Sequence, residues 1–285
     1  MFATAKKHAL AVHRRVRDSG LSLHAAAVAY HAFLALVPLT LALLGVAGLI
    51  GQSAAAVDRL ERALEPVAPE SVVEFIVDLM KEAGERVGGS EGILILISSI
   101  VALYLGSRAV VALQRALAAV DHQIAGRRGA SIRLAAVALT VAGGITLLIT
   151  SLLLVAGREI FEFLGYLSGF DGLADIWAWL RVPVSALGLF GFLLALYTFG
   201  PPRPLPGAWL AAAVATAVAL LGSLGFGLYL STAPDLGPTF GTLGAVAVAL
   251  VWLYVGALAI LFGAVVALYV AGEPPPDQVL AAPLD

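Results

Sequence analysis

The chain has 285 residues, 60% of them hydrophobic and only 13% charged, with a mean hydropathy of +0.96 and a formal net charge of −2. A soluble domain averages about 25% charged residues, so the composition excludes a cytosolic enzyme, a secreted domain and a disordered chain, and leaves an integral membrane protein. The lack of cysteine excludes disulfides, thiolate metal sites and cysteine nucleophiles, and the near-neutral charge excludes a nucleic-acid partner, which would want a basic face.

Taken in chain order, residues 1–26 form a basic segment, with Lys6, Lys7, Arg14, Arg15 and Arg17 against Asp18. Between His31 and Asp58 lie 26 residues without an ionisable group, enough for a spanning helix near 27–50. That run begins too late and is too long for the apolar region of a cleaved signal peptide, despite small residues at Ala54 and Ala56. Tyr30 and His31 precede Pro38 by about two turns, and Pro38 predicts a kink and candidate hinge between Leu34 and itself. Residues 53–88 are acidic and read as an outside segment. After Pro69, the spacing of Val72, Ile76, Leu79 and Ala83 predicts an amphipathic helix lying on the bundle or the membrane surface.

The next apolar gap, 92–107, reaches spanning length only if it carries Arg108 in its last turns, giving a helix near 92–112. Its helical pattern continues through Ala109–Ile124 as a basic cytoplasmic extension, with Gln114, Arg115 and Asp121 off the apolar side. Further spans are expected near 134–156, 182–200, 207–231 and 243–270, and Pro201, Pro202, Pro204 and Pro206 stiffen the turn between the fourth and fifth. The fold class is therefore all-α: a six-helix membrane bundle over 27–271 with a tail at 272–285. Lysine and arginine concentrate before the first span, after the second and at Arg203. The 51–91 loop, by contrast, holds nine acids, so both termini are expected in the cytoplasm.

Several stretches resemble one family. Ala25-Ala26-Ala27-Val28-Ala29-Tyr30 with Pro38 looks like the first-helix signature of the YihY/BrkB family, whose members were once labelled ribonuclease BN. Leu113-Gln114-Arg115-Ala116-Leu117 is similar to its basic segment. Phe226-Gly227-Leu228-Tyr229-Leu230 and Thr239-Phe240-Gly241-Thr242-Leu243-Gly244-Ala245, leading into Trp252-Leu253-Tyr254, follow in the same order. Phe240, Thr242 and Ala118 stand where the family usually has Tyr, Ser and Asn, and Gly263-Ala264-Val265 stands where it often has Glu. The resemblance implies a multi-pass protein of the bacterial cytoplasmic (inner) membrane and suggests transport or lipid translocation.

Candidate sites follow from the residues. A nuclease would need clustered carboxylates or a metal set, but the acids fall almost wholly in outside loops. The five histidines show no paired spacing, and no nucleophile elbow or phosphate-binding glycine loop occurs, so neither an enzyme nor a cofactor is expected. Arg108 has two readings. It snorkels to the interface, or it lines an inward-facing vestibule with Tyr30, His31 and Gln114 and holds an anionic lipid headgroup or small anionic substrate. Gly222, Gly225, Gly241 and Ala245 are candidate helix-packing positions, and the Thr239–Gly244 segment is a candidate re-entrant stretch. Membrane lipids are the expected partners. A transporter or lipid translocator is the leading function, and a non-transporting scaffold working through the 53–88 segment is the alternative.

Overall fold

The computed structural model describes residues 16–17, 19–49, 53–64, 68–86, 91–121, 132–146, 161, 166, 173–232 and 242–272. Among these residues all regular structure is helical. The helices are α1 (Leu21–Leu49), α2 (Ser53–Leu64), α3 (Glu70–Arg86), α4 (Glu91–Val120), α5 (Ile132–Thr146), α6 (Leu173–Phe199), α7 (Ala208–Thr232) and α8 (Thr242–Val270). Four of them carry stretches long and apolar enough to cross a bilayer: Ile97–Val120, Val182–Phe199, Ala208–Thr232 and Leu243–Val270. A helix satisfies its own backbone groups in lipid, which is why such apolar runs fold this way. Shorter apolar stretches lie in α1 (Leu21–Leu36) and α5. Gly241, the turn at 234–238, most of 147–172 and both chain ends lie outside the described residues.

The helices α1, α4, α5, α6, α7 and α8 close a ring in that order. α1 packs along α4, α8 lies between α1 and α7, and α6 packs on α7. The remaining joints are at α5. A Cβ added at Gly106 of α4 would sit 3.0 Å from Thr140 Cγ2, and one added at Gly143 would sit 2.7 Å from Phe192 of α6. One apolar core reaches all six helices, through Leu21, Leu117, Leu139, Leu196, Ala212 and Leu261 among others. It lies at the end where α1 and α7 begin and α4, α6 and α8 finish. Away from that end burial thins: α7 buries Ala211, Ala212, Ala215 and Thr216 and nothing beyond them.

Small residues make the α7–α8 contact close. At Gly263 an added Cβ would meet the Ala211 carbonyl oxygen at 2.5 Å and Ala215 Cβ at 2.8 Å. Lipid gives helices no hydrophobic reason to associate, so intimate backbone approach of this kind supplies dispersion attraction instead. Three side-chain bonds tie other helices to α8. Tyr197 Oη donates to the Ile260 carbonyl at 2.6 Å, Trp252 Nε1 donates to Ser223 Oγ at 2.7 Å, and Ser22 Oγ lies 2.8 Å from Tyr254 Oη. Tyr197 is fully buried. Tyr197→Phe is expected to cost about 1 kcal/mol, the usual net worth of one internal hydrogen bond. A thermal midpoint in detergent equal to that of the unaltered protein would show the bond contributes nothing.

The 53–86 region forms two helices rather than the single amphipathic one expected. Val57 of α2 joins Val73, Val77 and Met80 of α3 in a small separate core, and α3 also packs on α1 and α8. Phe75 stacks on Phe33 of α1 with centroids 6.2 Å apart. Val72, Ile76 and Met80 are buried while Glu70, Glu74, Asp78 and Lys81 remain exposed. The start of α3 is fixed by Pro69, whose carbonyl accepts from the Val72 and Val73 amides at 2.9 and 3.1 Å. α8 ends at Gly272, whose φ of +75° is open to glycine without strain and whose amide donates back to the Tyr269 carbonyl at 3.1 Å.

Candidate functional site

Arg108 is exposed on α4, on the side that also exposes Ile97, Val101, Tyr104 and Arg115. Its Nη1 donates to Tyr104 Oη at 3.2 Å, and its guanidinium carbon stands 5.9 Å from the centre of the same ring. Tyr104 is one helical turn earlier and is itself 56% exposed. The direction follows from helix geometry, because side chains lean toward the N-terminus of their own helix and so meet the residue four positions back. Arg108 is nearer to Val120 than to Glu91, yet it points away from that nearer end. An arginine at the centre of a membrane helix costs about 2.5–3.5 kcal/mol on insertion scales unless water or a partner offsets it.

Tyr30 is also exposed, and its ring meets His31 edge-on with centroids 5.6 Å apart. His31 Nδ1 sits 2.8 Å from the Ala27 carbonyl on its own helix. Among the described residues neither side chain has a hydrogen bond or ring contact with Arg108. Pro38 is buried, and α1 continues through it as an unbroken α-helix. Gln114 is the expected site residue that does enter the interior: it is 2% exposed, and neither its Oε1 nor its Nε2 has a hydrogen-bond partner among the described residues. The hydroxyl of buried Thr216 on α7 is unpartnered in the same sense. Of the packing positions, Gly222 is tight, since a Cβ added there would lie 2.8 Å from Val255 Cγ1, whereas Gly225 has nothing within 4 Å and is exposed.

At the end of the ring where Gln114 lies, the small residues Ala211, Ala212, Ala215, Gly263, Ala264 and Ala267 are buried, and α7 and α8 approach closely there.

That end also holds a pair that no sequence motif singles out. Arg203 Nη2 donates to Asp121 Oδ1 at 3.1 Å and Arg203 Nε to Asp121 Oδ2 at 3.3 Å. The two-pronged bond ties the residue just past α4 to the proline turn between α6 and α7. Asp121 keeps 1% of its side-chain exposure and Arg203 keeps 52%. The turn is held in turn by the Leu205 amide, which donates to the Tyr197 carbonyl at 3.0 Å. Among the described residues no three histidine or acidic side chains converge as a metal-binding set.

The family described as Virulence factor BrkB matches residues 12–282 of the chain. Over 246 residues the chain is 28% identical to the YfkH protein of Bacillus subtilis (strain 168), which is named as ribonuclease-like; the match covers 84% of this chain and 86% of that one. No solved structure matches it.

Proposed function

Because the chain belongs to the BrkB family of membrane proteins, we propose that it is a transporter that moves a polar substrate, a lipid headgroup first among the candidates, through a six-span bundle of the bacterial inner membrane with both termini in the cytoplasm. The observation that carries this reading is Gln114. A buried amide with both polar atoms unpartnered costs about 1–3 kcal/mol per unsatisfied group, and an apolar residue of the same shape would avoid that cost. Polar side chains inside membrane bundles mark the paths of ions and substrates. On this reading the partner of Gln114 is the passing substrate, and the present conformation is the one closed at the Asp121–Arg203 end. Pro38, inside α1, is the proposed hinge for opening it.

The scaffold reading has less support. It requires an exposed apolar stripe on 53–88, and the described apolar face of α3 is buried against α1, α2 and α8.

The test combines flux with stability. Purified protein is reconstituted into liposomes containing NBD-labelled phosphatidylglycerol or phosphatidylcholine, and movement between leaflets is followed by dithionite quenching. The unaltered protein is expected to accelerate exchange over protein-free liposomes. Gln114→Leu is expected to slow it about tenfold or more while leaving the thermal midpoint equal or higher, since it removes unpaired buried groups. Absence of exchange with either lipid, or Gln114→Leu exchanging as fast as the unaltered protein, would overturn the reading.

A further inference from the structure

We propose that Tyr104 and Arg108 form a lateral site, open to the bilayer, for the phosphate of an anionic membrane lipid. The inference rests on the translocation reading for its purpose, though not for its chemistry.

Depth is the first argument. In the apolar stretch Ile97–Val120, Arg108 lies close to the middle. It is seven residues, about 10 Å, deeper along α4 than Arg115, the next exposed cation on that helix. Direction is the second. The bond to Tyr104 turns the guanidinium away from the nearer helix end, so the side chain does not reach for that interface. Exposure is the third: the ion shares its exposed side of α4 with Ile97, Val101 and Tyr104 and has no carboxylate partner among the described residues, which leaves its charge open to an anion beside α4.

The same face describes that molecule. Ile97, Ile100 and Val101 are exposed on α4 on the far side of Tyr104 from Arg108. They offer an apolar strip for an acyl chain, with the phosphate at the Tyr104–Arg108 end. The hydroxyl of Tyr104 accepts from Arg108, which leaves its own proton free to donate to a phosphate oxygen. The guanidinium fork supplies the remaining paired donors that suit phosphate geometry. An uncharged amphiphile would fit the strip but not neutralise the cation. A soluble anion would satisfy the cation but have no contact with the strip. A lipid held here has its phosphate about 10 Å deeper along α4 than one held at Arg115, a displacement of the kind a translocation path begins with.

The experiment is native mass spectrometry of the full-length protein titrated with phosphatidylglycerol or phosphatidylcholine, with inorganic phosphate and glycerol 3-phosphate as soluble competitors. The unaltered protein is expected to prefer phosphatidylglycerol about tenfold, and Arg108→Gln to remove that preference. Tyr104→Phe is expected to weaken it about threefold, and Arg115→Gln to leave it unchanged. Neither soluble anion should displace the lipid. Equal binding of the two lipids, retained preference in Arg108→Gln, or displacement by inorganic phosphate would each overturn the site. Where Arg108→Gln fails to fold, Arg108→Lys decides: lysine lacks the fork and should lose most of the preference, and full retention overturns the proposal. Protein that binds phosphatidylglycerol at Arg108 yet moves no labelled lipid would overturn the translocation reading and leave the site standing. Exchange by a protein whose lipid preference ignores Arg108→Gln would do the reverse.

Discussion

Gly263→Val is expected to abolish accumulation of folded protein. The first carbon of any side chain at 263 would stand 2.5 Å from the Ala211 carbonyl oxygen, 2.8 Å from Ala215 Cβ and 3.0 Å from the Ala215 amide nitrogen. Two of those three atoms are backbone, which cannot swing aside as a flexible side chain would. Overpacking usually costs about 1–3 kcal/mol and sometimes more, and a β-branched residue against backbone belongs at the upper end. Because α7 and α8 would have to separate, the loss falls on the largest helix contact that α7 makes. Gly225→Ala provides the contrast: nothing lies within 4 Å there, and alanine favours a helix by about 0.5–1 kcal/mol over glycine. Size-exclusion profiles and thermal midpoints of the two variants would check this, and a normal monodisperse peak for Gly263→Val at the unaltered midpoint would refute it.

Arg203→Ala is expected to destabilise more than Asp121→Asn, although the two changes break the same pair. The carboxylate is almost wholly buried and the guanidinium is half in solvent. Removing arginine takes a two-pronged partner from a charge buried in the protein, whereas removing the charge of Asp121 leaves an ion that water can still reach. Breaking a fully buried pair costs about 3–5 kcal/mol and exposed pairs about 0–1, so this one-sided pair should lose about 2 kcal/mol through Arg203→Ala and about 1 through Asp121→Asn. A double-mutant cycle on unfolding midpoints isolates the coupling between the two positions. Equal losses for the two single variants, or no coupling, would show that the end of α4 is not held by this bond.

The sequence made the later spans legible because ionisable residues bracket them cleanly. The expected 207–231 and 243–270 differ by one residue at most from Ala208–Thr232 and Thr242–Val270. α6 begins nine residues before its expected start because Arg181, taken as a boundary, lies within the helix, and a helix does not stop where its apolar stretch does. α1 likewise starts at Leu21, through Ser22 and His24. The pattern of Val57, Leu60 and Leu64 at helical spacing already carried α2, but the four charges Asp58, Arg59, Glu61 and Arg62 interleaved with it mask its apolar side. The Asp121–Arg203 bond joins residues 82 apart, and no local spacing announces such a pair. Gly263 and Gly225 look alike in sequence. Only the face each turns, toward α7 or away from the bundle, separates a critical glycine from a tolerant one. For Arg108 neither depth nor direction was legible: expected in the last turns of a helix near 92–112, it lies close to the middle of Ile97–Val120 with its side chain bonded back to Tyr104.

The position of α8 bears on how the protein is made. It is the last of these helices to leave the ribosome, and it shares hydrogen bonds with Ser22, Tyr197 and Ser223 on three earlier helices. Chains are inserted from the N-terminus onward, at about 5–20 residues per second. During synthesis α1 can settle on α4 and α6 on α7, but the Ile260 carbonyl, the Trp252 indole and the Tyr254 hydroxyl do not yet exist in the membrane to receive their partners. α5 already joins the two pairs, at Gly106 against Thr140 and Gly143 against Phe192, so the gap between α1 and α7 is the one that stays open until α8 arrives. A ribosome that stalls before residue 242 would leave α1 and α7 without the helix that packs between them, and the Tyr197 hydroxyl without the Ile260 carbonyl that accepts its proton.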